Sequence, residues 1–286
     1  SGIILGGESN TISNNATNSL ICGTSNTITG NGEDSIKNNI FVGNNNTISQ
    51  NTKQTLIIGD NNTSSFNNNN TIIGINNTAH RNEALLSSGK DNSIYETNNS
   101  TVLGELNDVS GNTSNSLIVG KKNTDLSGSV NIITGFDNTS TNSTTALTSG
   151  RLHNISNGFD NVIFGVENTL NNNNRSLISG IKNTVTDVSN SIVFGSSNNI
   201  SNNTTGGITV GTQNNVNNGL RNTILGEKQD VANGINNLIT GKSNIAQNGN
   251  NSLVSGKSNI VKNNDQVSVF GELNDVCGNT INSLVS

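Results

Sequence analysis

Eighteen times along this chain a short apolar run closes on glycine, at an almost fixed interval. LICG, LIIG, TVLG, LIVG and IVFG close on Gly23, Gly59, Gly104, Gly120 and Gly195. With Gly6 as the first, the glycines stand 15 or 16 residues apart, except for opening gaps of 17 and 20. GELNDVSGNTSNSLIV at 104–119 returns as GELNDVCGNTINSLVS at 271–286, 167 residues and eleven periods later. A unit this short cannot enclose a core of its own. It must stack on its neighbours as the coil of a solenoid.

A second mark follows each glycine. Three residues on stands an Asn, as at Asn123 and Asn198, with His153 and Gln229 as exceptions; the first copy counts from Gly7 to Asn10. Two residues further there is usually Ile, Val or Leu, as at Ile28, Val109 and Leu170; Asp125 and Ser140 are among the positions that break the pattern. Each period therefore holds two short strands. Strand A is the apolar run ending in Gly, and strand B is Asn-Thr-Ile or its equivalent. The Gly and the polar stretch after strand B supply the turns. β-Branched residues fill the runs and Asn and Gly fill the gaps, which disfavours helix.

Composition fits the same picture. The chain has 63 Asn among 286 residues, no Pro, and only 29% hydrophobic residues. That is thin for a globular core of this length, but thin coils need few apolar residues each. The expected fold is all-β, a parallel β-roll or β-solenoid of about 18 coils of about 15 residues, forming one repeat domain over 1–286. At a rise of ~4.8 Å per coil it would span ~85 Å. The corner Asn should stack into a ladder, each side chain bonding its neighbours.

Strand A is apolar on both faces. The residue two before Gly is apolar in 15 of 18 copies, the one three before in 14, and the one directly before in 12. One face fills the coil; the other leaves an apolar stripe that sister chains would cover. Ile57, Ile72, Val102, Ile118, Ile163, Ile178, Val193, Ile224 and Ile239 are therefore assigned jointly to the core and to this self-association. Which face of strand A meets the partner is left open.

At NSLIVGKKNT (115–124) and NSIVFGSSNNI (190–200) the pattern resembles the YadA-like head repeat of trimeric autotransporter adhesins, over essentially the whole chain. The resemblance implies a left-handed β-roll, a homotrimer, and the outer membrane and cell surface of a bacterium. It implies attachment to a host cell-surface protein or an extracellular matrix protein, as part of virulence. The Asn richness and absent Pro are similar to adhesins of anaerobes such as fusobacteria, some of which bind CEACAM-type receptors. Family heads often carry Ala where this chain has Ile or Val two before the Gly. Neck, stalk and membrane-barrel motifs are not seen, so the chain reads as a head fragment whose membrane link lies in an anchor outside it.

Chemistry-bearing residues are sparse. His80 and His153 read as solvated turn residues. Cys22 reads as a small buried hydrophobe, and Cys277 as a replacement, in a turn, for the Ser110 of the earlier copy; sixteen coils separate them, which rules out a disulfide between them. Glu105 with Asp108, and Glu272 with Asp275, lack the spacing of a calcium repeat. No catalytic motif, metal set or cofactor loop stands out, and no basic stripe suggests nucleic acid. A binding role without enzymatic activity is expected. Recognition favours exposed aromatic and Arg anchors and protruding loops. The receptor-binding candidates are Phe66, Arg81 and Tyr95, with Glu33, Asp34 and Lys37 of the 20-residue gap. Two other solenoid functions compete. An ice-binding surface would use the Thr series Thr11, Thr27, Thr47, Thr63 and Thr78, which lapses later in the chain. A phage tailspike would need larger coils and clustered carboxylates.

Overall fold

The computed structural model describes residues 3–13, 16–30 and 36–286. It is an all-β parallel solenoid of about eighteen turns, with no helix among the described residues. It forms two compact units, residues 1–144 and 145–286, each built from the same coil.

The coil has three sides. In the first unit, one coil runs through strand A at Thr71–Ile75, strand B at Thr78–His80, and a third side, C, marked by a single bridge residue, Glu83. In the second unit the equivalents are Leu177–Ile181, Thr184–Thr186 and Ser189. Each side stacks in parallel register on the same side of adjacent coils. Ile72 lies between Ile57 and Ser87, and Gly74 between Gly59 and Gly89. The backbone hydrogen bonds of strands A and B thus run from coil to coil. Side C continues the pattern with one paired residue per coil: Lys37, Lys53, Asn68, Glu83, Asn98 and Ser114 follow one another. Two strands and a polar turn were expected; the polar turn is a third sheet side.

Three corners join the sides, each through left-handed backbone: Asn76 (φ 55°), Arg81 (φ 54°) and Ala84 (φ 52°) in the example coil. The N–H groups of these residues donate to carbonyls of the preceding coil, Asp60, Ser65 and Asn68, so the turning backbone is paired. The closing glycine is not at a corner, contrary to the sequence expectation. Gly74 sits inside strand A at φ 127°, and a Cβ there would overlap the Gly89 carbonyl. Glycine is required because successive strands approach closely at that point in a backbone conformation that L side chains rarely adopt.

The alternation of strand A resolves its two faces. The residue two before Gly points inward: Ile57, Ile72, Val102 and Ile118 in the first unit, and Ile163, Ile178, Val193, Ile224 and Ile239 in the second, are fully buried within their own coils. These nine are core residues. The residues three before and one before Gly face outward and are half-buried or exposed, among them Ile40, Val42 and Ile58 in the first unit and Phe164, Phe194 and Phe270 in the second. Phe41 is inward and only 1% exposed, so strand-A phenylalanines divide between core and surface. Cys22 also faces outward and is half-exposed; it is not the buried hydrophobe expected, because it occupies the position directly before Gly23. Cys277 ends a strand B, Asp275–Cys277, rather than lying in a turn.

The Asn ladder is present. Asn77 donates through its backbone N and its side-chain Nδ2 to Oδ1 of Asn62, each at 3.0 Å, and Nδ2 also donates to the Gly89 carbonyl at 3.0 Å. This rung ties three coils and leaves the buried amide satisfied. Both sequence exceptions keep their place. The Asn244 N–H donates to Oε1 of Gln229. His153 is 1% exposed, so it is not a solvated turn residue. Its Nδ1 accepts from the Asn168 N–H at 3.2 Å and its Nε2 lies 3.3 Å from the Ser149 carbonyl.

Among the described residues, length variation has one location. Coils of sixteen residues carry two left-handed residues at the corner between sides B and C: Gln50–Asn51 and Gly111–Asn112 in the first unit, Asn202–Asn203 and Gly278–Asn279 in the second. Gly7, not Gly6, stacks on Gly23, so the true opening interval is 16 rather than 17.

Candidate functional site

The corner between sides B and C also gathers the most unusual side chains. Because the period is fifteen, residues 66, 81 and 96 occupy the same corner of three successive coils. They are Phe66, Arg81 and Glu96, all at positive φ (52°, 54° and 53°). On the adjoining edge of side B stand Ser65, His80 and Tyr95, again one above another. Arg81 Nη1 donates to Oε1 of Glu96 at 2.9 Å and to the Tyr95 hydroxyl at 3.3 Å. Its guanidinium carbon lies 5.7 Å from the centre of the Phe66 ring, within cation–π range. The His80 ring stacks on Tyr95 (4.8 Å, 14°) and meets Phe66 edge-on (5.4 Å, 88°), while its Nδ1 is hydrogen-bonded to the Ser65 hydroxyl. Burial, and then the charge of Arg81, hold the His80 imidazole below its ordinary pKa.

The cluster forms a ridge. Phe66 is 37% exposed and Tyr95 40%, so both rings reach solvent while contacts on several sides hold them in place. Beside the ridge, along side C, runs an open groove of about 610 Å³. Phe66, Arg81 and Glu96 form one wall. Asn68, Glu83, Asn98 and Ser114 form the other, and buried Asn82, Thr97 and Thr113 lie between them. Asn112, from the two-residue corner Gly111–Asn112, adds to the lining. Two smaller grooves, each about 330 Å³, occupy the same side of second-unit coils next to Asn203 and Asn279, but they have no aromatic wall.

Of the six anchors named from sequence, the structure brings Phe66, Arg81 and Tyr95 into contact. Lys37 stands apart on side C, paired with Lys53. Glu33 and Asp34 lie outside the described residues. Sequence reasoning missed His80 and Glu96; each lies fifteen residues from a named neighbour, so the repeat period itself was the signal. Phe136 ends strand A Ile132–Phe136, with Lys122 Nζ 5.8 Å from its ring centre, and Phe159 is a bridge residue of side C in the second unit. The Thr series stands on the outer face of side B and is broken by Ser93 and Asp108 in the first unit, which removes the regular ladder an ice surface would need. No group of three or more His, Cys, Asp or Glu suited to a metal occurs among the described residues.

No protein-family model matches the chain, and no curated protein matches it.

Proposed function

We propose that this chain is the adhesive head of a trimeric surface protein of the YadA-like kind, displayed at a bacterial outer membrane. In this reading three copies pack with the outer faces of their A sides together, and the exposed corners carry the binding surface for a host cell-surface protein or a matrix component. The observation that carries it is the contrast between sides. Outward positions on side B are mainly Thr, Ser, Asn and Asp, whereas those on side A repeat Leu, Ile, Val and Phe coil after coil. A predominantly apolar face repeated along each unit marks an interface, and closed cyclic assembly of like chains is the economical way to cover it. With side A turned inward, the ridge at Phe66, Arg81 and Tyr95, on the corner away from side A, stays available to a ligand. A CEACAM-type receptor is one candidate partner.

The test is binding of the whole chain to receptor-bearing epithelial cells and to immobilised matrix proteins. Saturable attachment supports the proposal. Absence of attachment across such a panel, with an assembled sample, removes it.

A further inference from the structure

The groove beside the Phe66 ridge can be taken further on its chemistry. From Gly111 to Asn279, every left-handed residue at the corner between sides B and C is Gly, Asn, Asp or Ser. These residues tolerate that backbone. Phe66, Arg81 and Glu96 depart from it in three successive coils, after Gln50 in the coil before them, and place an aromatic ring and a charged pair at this corner. Side chains kept against local preference at one place point to function. The same three form one wall of the 610 Å³ groove.

We infer that this groove binds a neutral oligosaccharide, of the kind carried by a cell-surface glycoprotein. The inference rests on the adhesive reading above and names the chemistry its receptor would present. Three features select the class. First, Phe66 offers a partly exposed ring held by contacts with His80 and Arg81, and a preorganised aromatic surface suits the apolar C–H face of a pyranose. Second, the rest of the lining is amide and hydroxyl, chiefly Asn68, Asn98, Asn112 and Ser114, donors and acceptors matched to sugar hydroxyls. Third, the charges exclude acidic glycans. The lining contains one cation and two carboxylates, and the cation Arg81 is already bonded to Glu96, which leaves Glu83 to repel a sialic acid or a sulfate. The groove runs from Asn68 to Ser114, three coil steps of ~4.8 Å, enough for a short oligosaccharide segment and too short for an extended chain.

The experiment is a panel of immobilised neutral, sialylated and sulfated oligosaccharides probed with the whole chain, followed by titration of the best neutral ligand. Saturable binding confined to neutral glycans is expected. Phe66→Asn, which suits the left-handed corner, should retain or raise the melting temperature while weakening binding about tenfold or more, the usual loss on removing an aromatic anchor. Phe66→Tyr should bind within about threefold of the parent, because the ring face is kept. Glu83→Gln should admit sialylated ligands. Binding unchanged in Phe66→Asn, or a preference for sulfated chains, would overturn the inference. So would attachment to cells that survives enzymatic removal of their glycans, a result that leaves adhesion itself standing; a chain that binds no cell at all removes the adhesive reading instead.

Discussion

Replacing Asp125 by Val should stabilise the first unit at neutral pH and do so much less in acid. Asp125 occupies the inward position of strand B, between Val109 and Ser140 of the adjacent coils. Its Oδ1 accepts from Asn131 Nδ2 at 3.0 Å, but its Oδ2 has no partner in the interior. Burial pushes the carboxyl from 3.8 up to about 6, against the lowering effect of the hydrogen bonds from Asn131 and Ser116. The sign follows from linkage. A folded pKa above the unfolded one means the native state binds the proton more tightly, so the penalty is absent below pH 3.8 and complete above about pH 6. At about 1.4 kcal/mol per pH unit, the full penalty is about 3 kcal/mol, of which about 2 kcal/mol develops between pH 4.5 and 7.5. Valine removes the charge and fills the site as Val109 does. Asn131 keeps its bond to the Ser143 carbonyl, so the substitution loses roughly 1 kcal/mol of hydrogen bonding at either pH. Native-state hydrogen exchange on the amides of these coils reads the local opening free energy. The gain of Asp125→Val over the parent should be about 2 kcal/mol larger at pH 7.5 than at pH 4.5, and taking the difference between variant and parent cancels the other carboxylates. An equal gain at both pH values would refute the buried-charge argument.

Other expectations follow from the same coil. His153 has its pKa lowered, first by burial, so it contributes stability present above its unfolded pKa near 6.5 and lost as pH falls through its folded value. His153→Asn should flatten the acid side of a melting-temperature profile. Gly120→Ala should destabilise by at least about 2 kcal/mol, since φ is 128° and a Cβ would meet the Gly135 carbonyl; chemical denaturation measures it. Phe164→Lys with Phe194→Lys, both outward on side A, should lower the assembly state seen by analytical ultracentrifugation while leaving the circular dichroism of the β-solenoid unchanged.

The solenoid was legible because its signals are single-residue periodicities: one Gly, one Asn and one inward aliphatic per coil. Each reports a site with one steric or hydrogen-bonding solution. Side C was not legible. Its inward residues vary from Asn67 and Asn82 through Thr97 and Thr113 to Gly128, sharing small size rather than a pattern, and these coils pair through a single residue each. Gly74 was read as a turn because glycine and positive φ usually coincide there, whereas here glycine answers the close stacking of strands and the corners fall to Asn, Arg and Ala. His153 was misplaced because its identity was weighed above its position: the ladder site buries whatever residue stands in it. Three residues of the ridge were visible in Phe66, Arg81 and Tyr95. Reading every residue fifteen positions away would have added His80 and Glu96.

The central claim is that the outer face of side A is covered by sister chains. Light scattering on the purified chain at neutral pH tests it most directly. The account predicts a mass three times the 29.7 kDa of one chain; a stable, monodisperse species of 29.7 kDa would contradict it.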